Sequence, residues 1–145
     1  MVGGLPEGSR DLHAACIQVT NGIAQLLEMA RECGVPLALE PLHPMYAADR
    51  TVVNTLAQAL GICETVDPEC SGFLGVAIDA YHCWWEPELH ASIESAGRTG
   101  QILTYHVCDW LCETRDLLLD RGMMGDRVID LPALRRRASR LRRTR

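Results

Sequence analysis

The chain contains no lysine; all 14 basic residues among its 145 are arginine. That absence excludes catalysis through a lysine Schiff base and a phosphate loop built on lysine. No two of the seven cysteines form a CxxC pair. An odd set without such pairs reads as reduced thiols in apolar surroundings rather than as a disulfide frame or a zinc site. No apolar run approaches the ~20 residues of a membrane helix, and no basic-then-apolar leader opens the chain, so the expectation is a cytoplasmic protein with no membrane contact. Acids are missing from the last eleven positions, which hold seven Arg. Residues 1–134 set seven Arg against nineteen acids, a net charge of −12, while the last eleven carry +7. Such a body repels nucleic acid, and only the tail would attract it.

An apolar content of 48% over a length of 145 residues is that of one ordinary globular domain. Three short apolar runs each end in a side chain able to hold a metal. Val35-Pro36-Leu37-Ala38-Leu39 ends in Glu40 and is stopped by Pro41 and Pro44. Gly75-Val76-Ala77-Ile78 ends in Asp79, with His82 three residues on. Gln101-Ile102-Leu103-Thr104-Tyr105 ends in His106, with Asp109 three residues on. These runs read as strands over about 36–40, 73–79 and 101–107.

Helical spacing fills the intervals. Leu12, Ala15, Cys16, Val19, Ile23, Leu26, Leu27 and Ala30 predict a helix over 11–33, with Ser9 as its cap and Gly34 as its stop. Val52, Val53, Leu56, Ala59, Leu60 and Cys63 predict a second over about 50–66, capped by Asp49. Pro87 opens a third, over about 87–97. Tyr81-His82-Cys83-Trp84-Trp85 reads as an aromatic loop. A last helix starts near Val128–Pro132, and its pattern fails at Arg135. The predicted organisation is therefore a folded unit over residues 1–134 and a disordered Arg-rich tail over 135–145.

Strand and helix alternating at this spacing make parallel strands with right-handed crossovers. The strands are apolar throughout, as when both faces are covered. Chemistry in such sheets collects at the strands' C-terminal ends, where Glu40, Asp79 and His106 fall. Two carboxylates and an imidazole suit a divalent metal such as Mn²⁺, Mg²⁺, Co²⁺ or Zn²⁺. A metal there polarises a carbonyl, and a neighbouring carboxylate moves the proton beside it, which is aldose–ketose isomerisation or epimerisation. Each residue taken alone has a plainer reading: a cap or ion pair for Glu40 and Asp79, a satisfied core imidazole for His106. Their equivalent places in consecutive units favour the site. Trp84 and Trp85 fit packing better than a sugar platform, and His43 fits a supporting residue as well as a loop residue.

Leu37-Ala38-Leu39-Glu40-Pro41, Asp79-Ala80-Tyr81-His82-Cys83-Trp84-Trp85, His106-Val107-Cys108-Asp109 with Arg115, and Arg121-Gly122-Met123-Met124-Gly125-Asp126-Arg127-Val128-Ile129-Asp130 together resemble the sugar phosphate isomerase/epimerase family. This is the xylose isomerase-like (β/α)₈ barrel group. The resemblance covers residues 1–134 and implies an α/β fold, a partial (β/α)₈ TIM barrel of about strands 4 to 7. It implies that Glu40 is a metal ligand and an acid/base carboxylate, and that Asp79 and His106 are metal ligands. It also implies that His82 contacts a small sugar or sugar phosphate or helps bind the metal, and that Arg115 contacts substrate oxygens. The family's second catalytic Glu has no counterpart after Asp130, so the expectation is an incomplete copy whose unpaired strand edges favour self-association. A non-catalytic interaction module with the same half-barrel is the alternative. An endonuclease IV-like metal-dependent hydrolase is a weaker one, because the acidic body opposes DNA binding.

Overall fold

In the computed structural model, residues 3–126 and 128–140 are described, the last two of these by backbone alone. The order is α1 (Leu12–Cys33), β1 (Leu37–Leu39), a 3₁₀ turn (Pro44–Tyr46), α2 (Leu56–Val66), β2 (Leu74–Asp79), α3 (Ala80–Cys83), α4 (Leu89–Thr99), β3 (Ile102–His106) and α5 (Leu131–Arg140). The three strands form one parallel sheet in the order β1-β2-β3. This is the expected α/β arrangement, and it fits a partial barrel.

Strand β2 is the spine. All six of its residues are buried, because strands flank it on both edges and helices cover it. Its apolar side chains Leu74, Val76 and Ile78 share one core with Leu27 of α1, Leu56 and Cys63 of α2, and Ile93 of α4. Gly75 has to be glycine. A β-carbon there would collide with the Gln101 carbonyl, at the point where the Val76 amide donates to that same oxygen at 2.8 Å. Direct pairing then sets Asp79 opposite His106.

Helix ends depart from the expectation in three places. Asp11, rather than Ser9, caps α1 by accepting from the Ala14 amide at 2.9 Å. Helix α2 begins at Leu56, capped by Thr55, and not near residue 50. The intervening residues form turns and bends held by polar side chains. Thr51 Oγ1 accepts from the Val53 amide, and Asn54 Nδ2 donates to the Leu42 and Thr51 carbonyls. Val52 and Val53 are buried as expected, but from a non-helical segment. The aromatic stretch after β2 is a short helix, α3, and not an open loop.

The boundary expected at Arg135 does not coincide with a helix end. Helix α5 continues through Arg140, with Leu131, Leu134 and Ala138 buried at helical spacing. Arg137 pairs with Glu94 of α4. The rest of the expected tail, 141–145, lies outside the described residues. Among the described residues no helix is long and apolar enough to cross a membrane. Beside β3 and α5 lies a groove of about 990 Å³ whose lining includes Ile102, Tyr105, Ile129, Leu131, Arg135 and Arg136.

Candidate metal centre

Each strand tip delivers its donor for a local reason. Pro41 follows Glu40 and ends β1. Asp79 is both the last residue of β2 and the N-cap of α3, its Oδ1 accepting from the Tyr81 amide at 2.9 Å. His106 closes β3 before the chain turns toward Asp109. Glu40, Asp79 and His106 each offer one donor atom, and the three atoms lie within 4.8 Å of one another. Glu40 Oε1 stands 3.0 Å from His106 Nδ1, and Thr104 Oγ1 lies 3.2 Å from His106 Nε2. One carboxylate follows β1 and the other ends β2, 39 residues apart, so the parallel crossover brings them together.

His82 stands beside this cluster. Its Nδ1 accepts from the His43 amide at 3.2 Å, and its Nε2 lies 3.9 Å from Asp79 Oδ2. A neutral imidazole has one acceptor nitrogen. The His43 contact uses it, which assigns the proton to Nε2, facing Asp79. Burial pushes the pKa of His82 down to about 4, with Asp79 opposing and Arg121 and His43 adding to the fall. The ring is therefore neutral at physiological pH.

Arg121 is the residue that sequence reasoning missed. Its Nη1 donates to Asp79 Oδ2 at 3.2 Å and to Cys108 Sγ at 3.6 Å, and its guanidinium lies 4.3 Å from the centre of the Tyr81 ring. Nη2 comes within 3.3 Å of His82 Nε2, a close approach between two donors rather than a hydrogen bond. Arg115 is not joined to these groups. Its side chain is 89% exposed and its Nε reaches Asp120 at 3.5 Å. The segment that carries Arg121 is tied down on both sides. Asp109 Oδ1 accepts from the Trp110, Val128 and Ile129 amides at 2.8–3.0 Å, and the Asp109 and Gly122 backbones bridge at 3.0 Å. Arg121 precedes that bridge and is fixed over β2. The only sequence sign of this was the glycine beside it.

Aromatic rings follow each donor. His43 stacks on Trp110 with centroids 5.1 Å apart, and Trp110 meets Tyr81 at 4.8 Å and Trp84 at 5.6 Å. The Trp85 indole donates to the His82 carbonyl at 2.8 Å. These contacts are the packing expected of Trp84 and Trp85, and they give His43 a supporting place behind His82.

A parallel α/β sheet with two carboxylates and an imidazole meeting beyond its strand tips defines a barrel-type protein with a candidate metal centre. The family model described as xylose isomerase-like TIM barrel matches residues 1–142. The chain belongs to that family. Among solved structures, it is similar to protein SMc04130 of Sinorhizobium meliloti 1021, at 58% identity and a TM-score of 0.90 over 96% of this chain and 49% of that one. It is also similar to the IolI protein solved with a zinc atom, at 24% identity, a TM-score of 0.69 and coverage of 94% and 47%. A third is 3-keto-D-glucoside 4-epimerase, YcjR, of E. coli, at 21% identity, a TM-score of 0.69 and coverage of 95% and 47%. The chain thus spans about half the length of these structures. No curated protein matches it.

Proposed function

We propose that this chain carries the metal-binding half of a sugar isomerase or epimerase site. Glu40, Asp79 and His106 would hold one divalent ion of the Mn²⁺, Mg²⁺, Co²⁺ or Zn²⁺ class. The observation that carries the reading is the convergence of three donor atoms from three adjacent strand tips within 4.8 Å. Hard oxygens with one nitrogen fit such ions without demanding a soft metal. When bound, the ion would supply Lewis-acid polarisation of a substrate carbonyl. The zinc atom of the IolI relative belongs to the same class of ion.

The chain's own groups then divide the work. Glu40, half-buried, takes and returns the proton on the carbon next to the carbonyl. Neutral His82 presents Nε2–H to a substrate oxygen without adding charge. Arg121 faces substrate oxygens in the role that the family resemblance implied for Arg115. The substrate is a small sugar or sugar phosphate.

Metal titration of the wild-type chain against Glu40→Gln, Asp79→Asn and His106→Ala tests the centre. Each change is expected to weaken Mn²⁺ or Co²⁺ binding at least tenfold in calorimetry. Unchanged affinity in all three would remove the site.

A further inference from the structure

The sheet has two open sides. Among the described residues, no strand pairs with the outer edge of β1 or with that of β3. An open edge offers backbone donors and acceptors to another chain, and a barrel removes its edges by closing on itself. The S. meliloti structure, of which this chain spans 49%, holds about as much polypeptide again in addition to the same fold.

The two sides are unlike. Along β3 runs the groove of about 990 Å³, with Ile102, Ile129 and Leu131 in its lining beside Arg135 and Arg136 of α5. Among the described residues neither guanidinium has an acidic partner, while the neighbouring Arg137 takes Glu94. Helix α5 holds four arginines and no acid.

On the β1 side stands α1. One flank of this helix meets α2: Arg31 pairs with Asp67 at 3.0 Å, and the Gln58 side chain donates to Cys16 Sγ at 3.3 Å. The opposite flank carries Gly22, Leu26, Met29 and Cys33, aligned by helical spacing and all exposed. Leu26 is 49% exposed and Met29 61%. Acids border this apolar stripe. Glu32 has no ionic partner among the described residues, and Glu28 reaches only Arg31, one turn away on the same helix. An exposed apolar stripe bordered by charge marks an interaction surface.

We propose that the partner for both sides is a second copy of this chain. The three strands are parallel, so a two-fold axis laid along them turns the β3 side of each copy onto the β1 side of the other. The α5–β3 groove of each copy then receives the Leu26–Met29 stripe of α1 from its partner. Arg135 and Arg136 meet Glu28 and Glu32 across each of the two seams. One operation covers every open side and keeps all strand tips at one end, so the two candidate metal centres share one mouth. The pairing needs neither metal nor sugar and stands apart from the chemistry at the strand tips. It gives the self-association expected of unpaired edges a definite surface.

The test is molar mass by light scattering after size exclusion, over a range of protein concentrations. The wild-type chain should weigh twice the 16.0 kDa of one copy. The double variants Arg135→Glu/Arg136→Glu and Glu28→Arg/Glu32→Arg should each raise the dimer Kd about tenfold or more, because each sets like charges on both seams. Mixed in equal amounts, the two variants should regain the dimer mass, because unlike charges then face each other at both seams. Met29→Glu, which places a charge within the stripe, should dissociate the dimer as well. A wild-type chain that stays monomeric at the highest concentration would overturn the pairing. A mass that keeps growing past the dimer would overturn it, as would a dimer that survives these substitutions. So would two charge variants that stay apart when mixed.

Discussion

Removing the Arg121 guanidinium is the most informative perturbation of this site. Arg121 Nη1 sits 3.2 Å from Asp79 Oδ2, with side-chain exposures of 29% and 7%. Taking away one partner of a buried ion pair costs about 3–5 kcal/mol, and the open side of Arg121 lowers that to about 2–3 kcal/mol. Asp79 keeps the Tyr81 amide on its other oxygen, so the carboxylate is not wholly abandoned. For a chain of this length about 3 °C of melting temperature accompanies each kcal/mol, so Arg121→Ala should melt about 6–9 °C lower without metal. The same guanidinium repels any cation that Asp79 helps to hold. Its removal should tighten Mn²⁺ binding by about tenfold, equivalent to 1.4 kcal/mol of repulsion relieved. Mn²⁺ at a hundred times its Kd returns about 2.7 kcal/mol to the folded state, enough to restore most of the lost stability. Calorimetric melts with and without Mn²⁺, repeated in an Asp79→Asn background, separate the terms. In that background the Arg121 effect should fall below about 0.5 kcal/mol. An Arg121→Ala protein that melts with the wild type and binds Mn²⁺ with wild-type affinity would refute the reasoning.

Two further outcomes follow from features away from the donors. Glu86 is 7% exposed and accepts the Leu56 amide on both oxygens, at 2.9 and 3.0 Å, capping α2 from thirty residues away. Burial raises its pKa above the ordinary 4.5, against the opposing Leu56 and Cys83 hydrogen bonds. The folded state then binds this proton more tightly than the unfolded one, so its contribution is fully present below pH 4.5 and is lost as pH rises through the raised value. Urea denaturation across pH 4–8 should show that decline in the wild type and a flatter profile in Glu86→Gln. A parallel decline in both would assign it to other groups. Gly75→Ala forces a methyl group against the Gln101 carbonyl and should cost about 2 kcal/mol or more in urea denaturation, through separation of β2 from β3. An unchanged midpoint would show that the strands part without strain.

The strand tips were legible because the chemistry changes abruptly there. Apolar runs stop at Glu40, Asp79 and His106, and proline or a turn follows. The start of α2 was not, because Val52 and Val53 are buried in a non-helical segment as fully as a helix face would bury them. The cap that decides the matter is partly Glu86, distant in sequence. The continuation of α5 was hidden by its arginines. Ala138 extends the Leu131–Leu134 stripe with one methyl group, too little to register against so much charge. Arg115 and Arg121 are indistinguishable by spacing. The Asp109–Gly122 backbone bridge, which no spacing pattern reveals, holds the residue beside it, Arg121, near the strand tips.

Asp79 carries one last implication. One of its oxygens is tied to the first amide turn of α3 and the other to a guanidinium. Its torsions are consequently frozen by folding, so holding an ion in the proposed site would require no further loss of side-chain entropy at this position. Glutamate, with one more methylene, could not satisfy the same two donors from the same backbone. The tip of β2 is thereby restricted to the shorter acid by the geometry of the helix that follows it.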